Sequence, residues 1–155
     1  MKTMRLGRLF DAVFIHDAVM YITSEDDLRR AVETAHIHCK PGSVALFMPD
    51  VIQETFVSLT THGGHDGAAG DDRSIRYIEW TFDPNPSDNT YTVDFAYLLR
   101  EGRGPVRVVQ DTHVFGIFPR QTWLDLLRET GFEVRSVMDP WGREVFVGRR
   151  RPELK

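Results

Sequence analysis

The sequence predicts an α/β fold, and three observations carry that reading. Near the start, an apolar run, an amphipathic helix and a second apolar run follow one another over short joints. The middle of the chain changes to alternating β-branched and aromatic residues. The end returns to a helix followed by two strands on a tight turn.

Residues Phe10 to Ile15 (FDAVFI) carry a single acid in an apolar run, the pattern of a strand buried on both faces in a parallel sheet. His16-Asp17 breaks the run. Ser24-Glu25-Asp26-Asp27 reads as a helix start, with Ser24 as N-cap and Asp27 at N3. Leu28, Ala31, Val32, Ala35 and Cys39 then recur at helical spacing and form one apolar stripe. Lys40-Pro41-Gly42 stops the helix, and Ser43 to Met48 (SVALFM) is a second buried strand. The three elements make a βαβ unit with a right-handed crossover. Pro49-Asp50 ends the second strand, a short helix is expected over 51–59, and His62 to Asp72 reads as an exposed, mobile loop. Ile75 to Phe82, Tyr91 to Leu99 and Val106 to Ile117 read as three antiparallel strands, joined by turns rich in Pro, Asn, Asp and Gly. Pro119-Arg120 opens a helix that buries Trp123, Leu126 and Leu127 and is capped by Gly131. Phe132 to Met138 and Glu144 to Val147 are joined by Asp139-Pro140-Trp141-Gly142, a turn so short that the two strands must be antiparallel.

The 155 residues suffice for one domain with its own core, and no internal repeat or domain boundary is evident. Nineteen basic against 23 acidic residues give a net charge of −4. No basic stripe is left to neutralise phosphates, which disfavours nucleic-acid binding. Arg149-Arg150-Arg151 reads as a solvated tail. The one cysteine, Cys39, allows no internal disulfide and fits a reducing cytoplasm. No apolar run approaches the ~18 residues of a membrane span, and the first ten residues lack the apolar core of a secretion signal. The expectation is a cytoplasmic protein with neither a membrane nor a nucleic-acid partner.

The order of these elements resembles the later part of a class I S-adenosylmethionine-dependent methyltransferase. FDAVFIHDAVMYITSEDDL is similar to that family's fourth strand and the helix after it, and KPGSVALFMPD to its fifth strand. FEVRSVMDPWGREVFVGR resembles its sixth and seventh strands, the last of them antiparallel. Within the family, DTHVFGIFPRQTW (111–123) is similar to the end of the β-rich insert of enzymes that dimethylate nucleotide-linked amino-deoxysugars. The resemblance implies a partial Rossmann-like methyltransferase sheet, with equivalents of strands four, five, seven and six. It also implies a three-stranded antiparallel β insert at about 73–118, all within one domain spanning 1–155. S-adenosylmethionine is the implied cofactor, and methyl transfer to a nitrogen or oxygen of a small molecule is the implied activity. The family's glycine-rich turn before a helix has no match: the chain contains no GxGxxG, and Gly102-Arg103-Gly104 lies between strands. The expectation is therefore an N-terminally truncated domain that binds no cofactor by itself, or a non-catalytic dimeric remnant. A β-rich small-molecule binder is a third reading, disfavoured by the buried βαβ unit. Without its neighbour, the strand at 10–15 would expose an apolar edge, which predicts a homodimer through that edge.

His16 and Asp17 stand at the carboxyl end of the first strand, where open α/β sheets bind ligands. By resemblance, His16, Asp17 and Tyr21 lie beside the methyl donor. His16 and His113 are the candidate bases for an attacking amine, since an imidazole with a pKa near ~6.5 can take such a proton. Tyr77 and Glu79 share one strand face and could touch a substrate, while Trp80 points the other way and reads as core. No metal is expected. His36 and His38 are two apart on a helix and cannot chelate together, and His62 and His65 sit in the loop with only Asp66 near. Cys39 reads as a buried small residue.

Overall fold

The computed structural model describes residues 1–152. The chain divides into two compact units, one formed by residues 1–56 together with the chain from Gly116 onward, the other by Val57–Phe115.

The first unit holds the expected βαβ. Strand β1 (Phe10–Ile15) pairs in parallel with β2 (Cys39–Phe47), with Val13 opposite Ala45 and Ile15 opposite Phe47. Between them runs α1 (Glu25–His38), whose first turn is closed by the Ser24 hydroxyl accepting the Asp27 amide at 3.3 Å. Leu28, Ala31, Val32, Ala35 and Cys39 are all buried, so the stripe is the packing face. The second strand begins earlier than Ser43. It starts at Cys39, directly after the helix, and the Lys40-Pro41-Gly42 segment is accommodated by a register shift against β1 with Gly42 at φ +82°.

After the insertion, α2 (Arg120–Glu129) buries Trp123, Leu126 and Leu127, and Gly131 follows it at φ +105°. In this unit β7 (Phe132–Met138) and β8 (Glu144–Arg150) form the expected antiparallel hairpin. The hairpin inserts so that the sheet order is β1-β2-β8-β7, with β8 antiparallel to β2. Trp123 lies flat on Phe146 at 5.1 Å and near Phe47 at 6.1 Å, joining α2 to the middle of the sheet. Gly148 lets the Phe132 ring rest against the β8 backbone, since a Cβ there would meet that ring at 2.9 Å.

Three expectations are corrected here. The first strand lies at the edge, as expected, but it is not buried on both faces: its Phe14 side chain is 61% exposed. The final strand continues to Arg150, whose guanidinium donates to the Cys39 carbonyl at 2.6 Å and the His36 carbonyl at 3.2 Å, so this arginine is tied to the sheet and is no solvated tail. The helix expected over 51–59 is only one 3₁₀ turn at Gln53–Thr55.

The second unit is an antiparallel four-stranded sheet in the order β3-β4-β5-β6, where three strands were expected. The extra strand, β3 (Leu59–Asp66), occupies much of the segment read as a mobile loop. It pairs without a break against β4 (Arg73–Phe82), from Leu59 opposite Thr81 to Asp66 opposite Ser74. Its Gly and His content argues against a strand, but the Tyr77 ring covers Gly63 and supplies the packing the glycine lacks. Strands β5 (Thr90–Glu101) and β6 (Arg107–Gly116) complete the sheet.

Candidate functional site

The parallel pair β1–β2 ends at one place, and the residues that follow each strand meet there. His16 caps a 3₁₀ turn at Asp17–Tyr21, and the Met48 amide donates to the Ile15 carbonyl at 2.9 Å, bringing the segment after β2 alongside. As a result His16, Asp17 and Asp50 place one ligand atom each within 4.8 Å of one another. The His16 Nδ1 lies 2.6 Å from Asp17 Oδ1.

Arg143 completes the group from the β7–β8 hairpin. Its Nη1 is 3.3 Å from His16 Nε2 and 3.6 Å from Asp50 Oδ1. A guanidinium can only donate, so His16 Nε2 is the acceptor and Nδ1 carries the proton given to Asp17. Arg143 is itself held by Asp139, which accepts from its Nε at 2.9 Å and its amide at 2.8 Å, and from the Trp141 amide at 2.9 Å. Burial would raise the Asp139 carboxyl, but these amides and the guanidinium outweigh it and hold that group below the usual carboxylate range.

Asp50 is shifted the other way. Burial is the largest cause, and the charge and hydrogen bond of Asp17 add to it, while His16 and Arg143 offset only part.

Exposed aromatic side chains stand on the elements that carry the cluster. Phe14 stacks on His16 at 5.6 Å, Arg143 lies 5.6 Å over the Trp141 ring, and Phe14, Tyr21 and Trp141 are 61%, 61% and 77% exposed. A resident guanidinium among the three ligand atoms competes with a metal ion for the same carboxylates.

The sequence-expected residues fall into two groups. His16 and Asp17 come together with Asp50 in the first unit, and Tyr21 ends the 3₁₀ turn that follows them. His113 lies in the second unit, on β6, with Nε2 3.0 Å from Asp111 Oδ2. Its ring stacks on Phe115 at 5.5 Å and meets Phe95 edge-on at 5.6 Å. Phe95 stacks on Tyr97 at 5.5 Å, and Phe95 stands opposite Glu79 and Tyr97 opposite Tyr77, so Tyr77 and Glu79 share this aromatic face. Trp80 points to the opposite face and is 55% exposed, which corrects its reading as core. His62 and His65, three apart on a strand, face opposite sides of the sheet. Cys39 is fully buried, and burial pushes its thiol up, so it is no nucleophile.

Asp50 and Arg143 were missed by reading the sequence. Asp50 carried a usable signal, because it follows a parallel strand adjacent to the one that ends at His16. Arg143 carried none: it is 127 residues from His16 and arrives only through the hairpin.

No family model matches the chain. A dTDP-3-amino-3,4,6-trideoxy-α-D-glucopyranose N,N-dimethyltransferase of Streptomyces venezuelae is 25% identical over 150 residues, covering 96% of this chain and 61% of that relative. The crystal structure of Streptomyces venezuelae DesVI superposes with a TM-score of 0.83 at 24% identity, over 97% of this chain and 62% of its own. The sugar N-methyltransferase KedS8 from a Streptoalloteichus species gives 0.83 at 25% identity, over 97% and 60%. CalS10, an amino pentose methyltransferase of Micromonospora echinaspora solved with S-adenosylmethionine bound, gives 0.83 at 22% identity, over 96% and 61%. The chain thus spans about three fifths of the length of each of these relatives. Its fold is that of the Rossmann-like, S-adenosylmethionine-dependent methyltransferases. Within that class, the chain resembles the sugar N-methyltransferases in both sequence and structure.

Proposed function

We propose that this chain forms one side of the methyl-donor site of an S-adenosylmethionine-dependent methyltransferase that acts on a nitrogen, or else an oxygen, of a small molecule. The observation that carries the reading is the likeness to an amino-deoxysugar N,N-dimethyltransferase along 96% of the chain. In this reading β1, β2, β8 and β7 correspond to the family's fourth, fifth, seventh and sixth strands, and the β3–β6 unit is its insert. One reducing compartment, the cytoplasm, suits the buried thiol of Cys39. Among the described residues no helix is long and apolar enough to cross a membrane.

His16, Asp17 and Tyr21 form a wall at the carboxyl ends of β1 and β2, and the carboxylates there fit the positive charge of the donor. The bound cofactor supplies an activated methyl group on a sulfonium, so the protein's contribution is mainly positioning. Each of the two candidate bases has a carboxylate partner: His113 Nε2 lies 3.0 Å from Asp111, and His16 Nδ1 lies 2.6 Å from Asp17. With no GxGxxG turn among them, these 155 residues alone hold the cofactor weakly.

A homodimer through the exposed β1 edge goes with this reading. Among the described residues the edge has no partner strand, and beside it lies an apolar groove of about 350 Å³ that includes Met4, Leu6, Phe10 and Phe14. A second copy is the proposed cover.

The test is transfer of label from methyl-labelled S-adenosylmethionine to a dTDP-linked amino sugar. It should be run with the 155-residue chain and with a version extended into in-frame upstream coding sequence. Labelled amine from the extended version, with little or none from the chain alone, is the expected result. No transfer from either would leave the non-catalytic dimeric remnant as the reading.

A further inference from the structure

We propose that a second copy of this chain pairs antiparallel with β1 in one defined register, with Ala12 on the two-fold axis, and that it brings its Arg8 to Asp17. This rests on the homodimer proposed above and deepens it, naming the pairing and the residue that each copy lends to the other.

The backbone decides which residues can pair. The Ile15 carbonyl accepts from the Met48 amide, and Val13 and Ile15 stand opposite Ala45 and Phe47 of β2. Along a strand, successive residues turn their amide and carbonyl to opposite sides, so Val13 and Ile15 are committed to β2. Phe10, Ala12 and Phe14 turn theirs to the other edge, where no described strand lies. Two identical strands that continue one sheet across a two-fold axis run antiparallel. Their hydrogen-bonded pairs must then be made among Phe10, Ala12 and Phe14 of the two copies.

Side chains choose among the registers that remain. With Ala12 opposite the partner's Ala12, Phe10 falls opposite the partner's Phe14, and symmetry makes this aromatic pair twice. These side chains share one face of the strand, where Phe10 and Phe14 border the groove together with Met4 and Leu6. Phe14, Leu6 and Met4 are 61%, 48% and 46% exposed, so two grooves closing on each other remove a contiguous apolar strip from water. Sliding one way, to Ala12 opposite the partner's Phe10, sets Asp11 against the partner's Asp11, a like-charge pair across the strands. Sliding the other way, to Ala12 opposite the partner's Phe14, breaks both aromatic pairs and moves the axis to Val13.

Charge agrees with the same register. Arg8 lies 4.8 Å over the Phe10 ring, and no described carboxylate pairs with it. It stands two residues before Phe10, so it comes opposite the partner's His16, next to the partner's Asp17. Asp17 keeps a side chain that is 59% exposed, open to a guanidinium from outside the chain. The two-fold axis makes this ion pair twice. Each strand end is thus completed by the other copy.

The test is disulfide trapping of the 155-residue chain under mild oxidation. Cys39, the one native cysteine, is buried, so the unsubstituted chain is the blank. Ala12→Cys sets two thiols directly opposite, with Cα atoms about 5.5 Å apart and within disulfide range. Val13→Cys and Phe14→Cys set them on residues offset along the strands, roughly 7 Å or more apart. Ala12→Cys should link into a dimer while the other two stay unlinked. Linking of Val13→Cys or Phe14→Cys as fast as Ala12→Cys overturns the register. A dimer in sedimentation that none of the three links overturns the pairing through β1, and a monomer overturns the homodimer with it. For the charge contact, Arg8→Glu should raise the dimer dissociation constant about tenfold, and adding Asp17→Arg should restore it. An unchanged constant in R8E, or no recovery in the R8E/D17R double variant, overturns the contact. Failure of methyl transfer in the extended version, with these linking results intact, would count against the methyltransferase reading alone.

Discussion

Asp50 shows how a single residue can be held in an unfavourable state at a site. Its carboxyl is raised by burial and by Asp17, so the folded chain binds a proton more tightly than the unfolded chain does. Stability from this group is therefore greatest below the ordinary carboxylate pKa of 3.8 and is lost as pH rises through the raised value. Asp50→Asn should stabilise the chain at neutral pH. Its half-exposed position and solvent screening limit the gain to about 0.5 kcal/mol. Thermal unfolding at neutral and at acid pH checks this: the variant should melt higher at neutral pH and no higher at acid pH. Asp71 behaves oppositely. Its hydrogen bonds to Arg73 lower it to about 2, so its contribution is present above 3.8 and fades as pH falls toward 2. At this scale the sequence was legible wherever a role is local. Ser24 caps its helix through a contact three residues away, and Gly131 ends α2 by its own backbone angle. Asp50 could be placed from the end of its parallel strand, but Arg143 reaches the cluster only through the hairpin, and no spacing in the chain encodes that.

Elements formed where periodicity and partner agreed. The α1 stripe and the Trp123-Leu126-Leu127 face were readable because each repeats at 3.6 residues and each is buried. Strand β3 was not readable, because its pairing with β4 overrides poor local propensity. Gly63 is the residue on which that pairing can be tested. A Cβ there would lie 2.7 Å from the Tyr77 hydroxyl, so Gly63→Val should displace the ring and destabilise the β unit by about 1–3 kcal/mol. Increased hydrogen exchange confined to the β3 and β4 amides would confirm it. The start of α2 is pinned by a different device. The Arg120 Nε lies 2.7 Å from both oxygens of Glu144, whose side chain is only 4% exposed, and the Arg120 amide donates to Glu54. Arg120→Ala leaves that buried carboxylate unpaired. It should lower the urea midpoint, and Arg120→Lys should recover only part of the loss.

For the whole molecule, the sheet order β1-β2-β8-β7 leaves β1 without a neighbour on one side. If a second copy covers that edge, Phe14→Lys should move the chain toward monomer, raising the dimer dissociation constant by about tenfold or more in sedimentation. A monomeric wild-type chain at micromolar concentration would contradict the homodimer. The order of elements was readable at this scale because a parallel βαβ followed by a helix and a tight hairpin admits few sheet arrangements. The extent of the β unit was not, since its first strand looks like loop.

The central claim is that these residues form one side of a methyl-donor site and lack the glycine-rich turn that grips the cofactor. Calorimetric titration with S-adenosylhomocysteine tests it most directly, comparing this chain with its upstream-extended version. The account predicts weak or unmeasurable binding by the 155-residue chain and micromolar or tighter binding by the longer one. Tight binding by the short chain would show that the donor site is complete without a GxGxxG turn, and no binding by either would remove the methyltransferase function altogether.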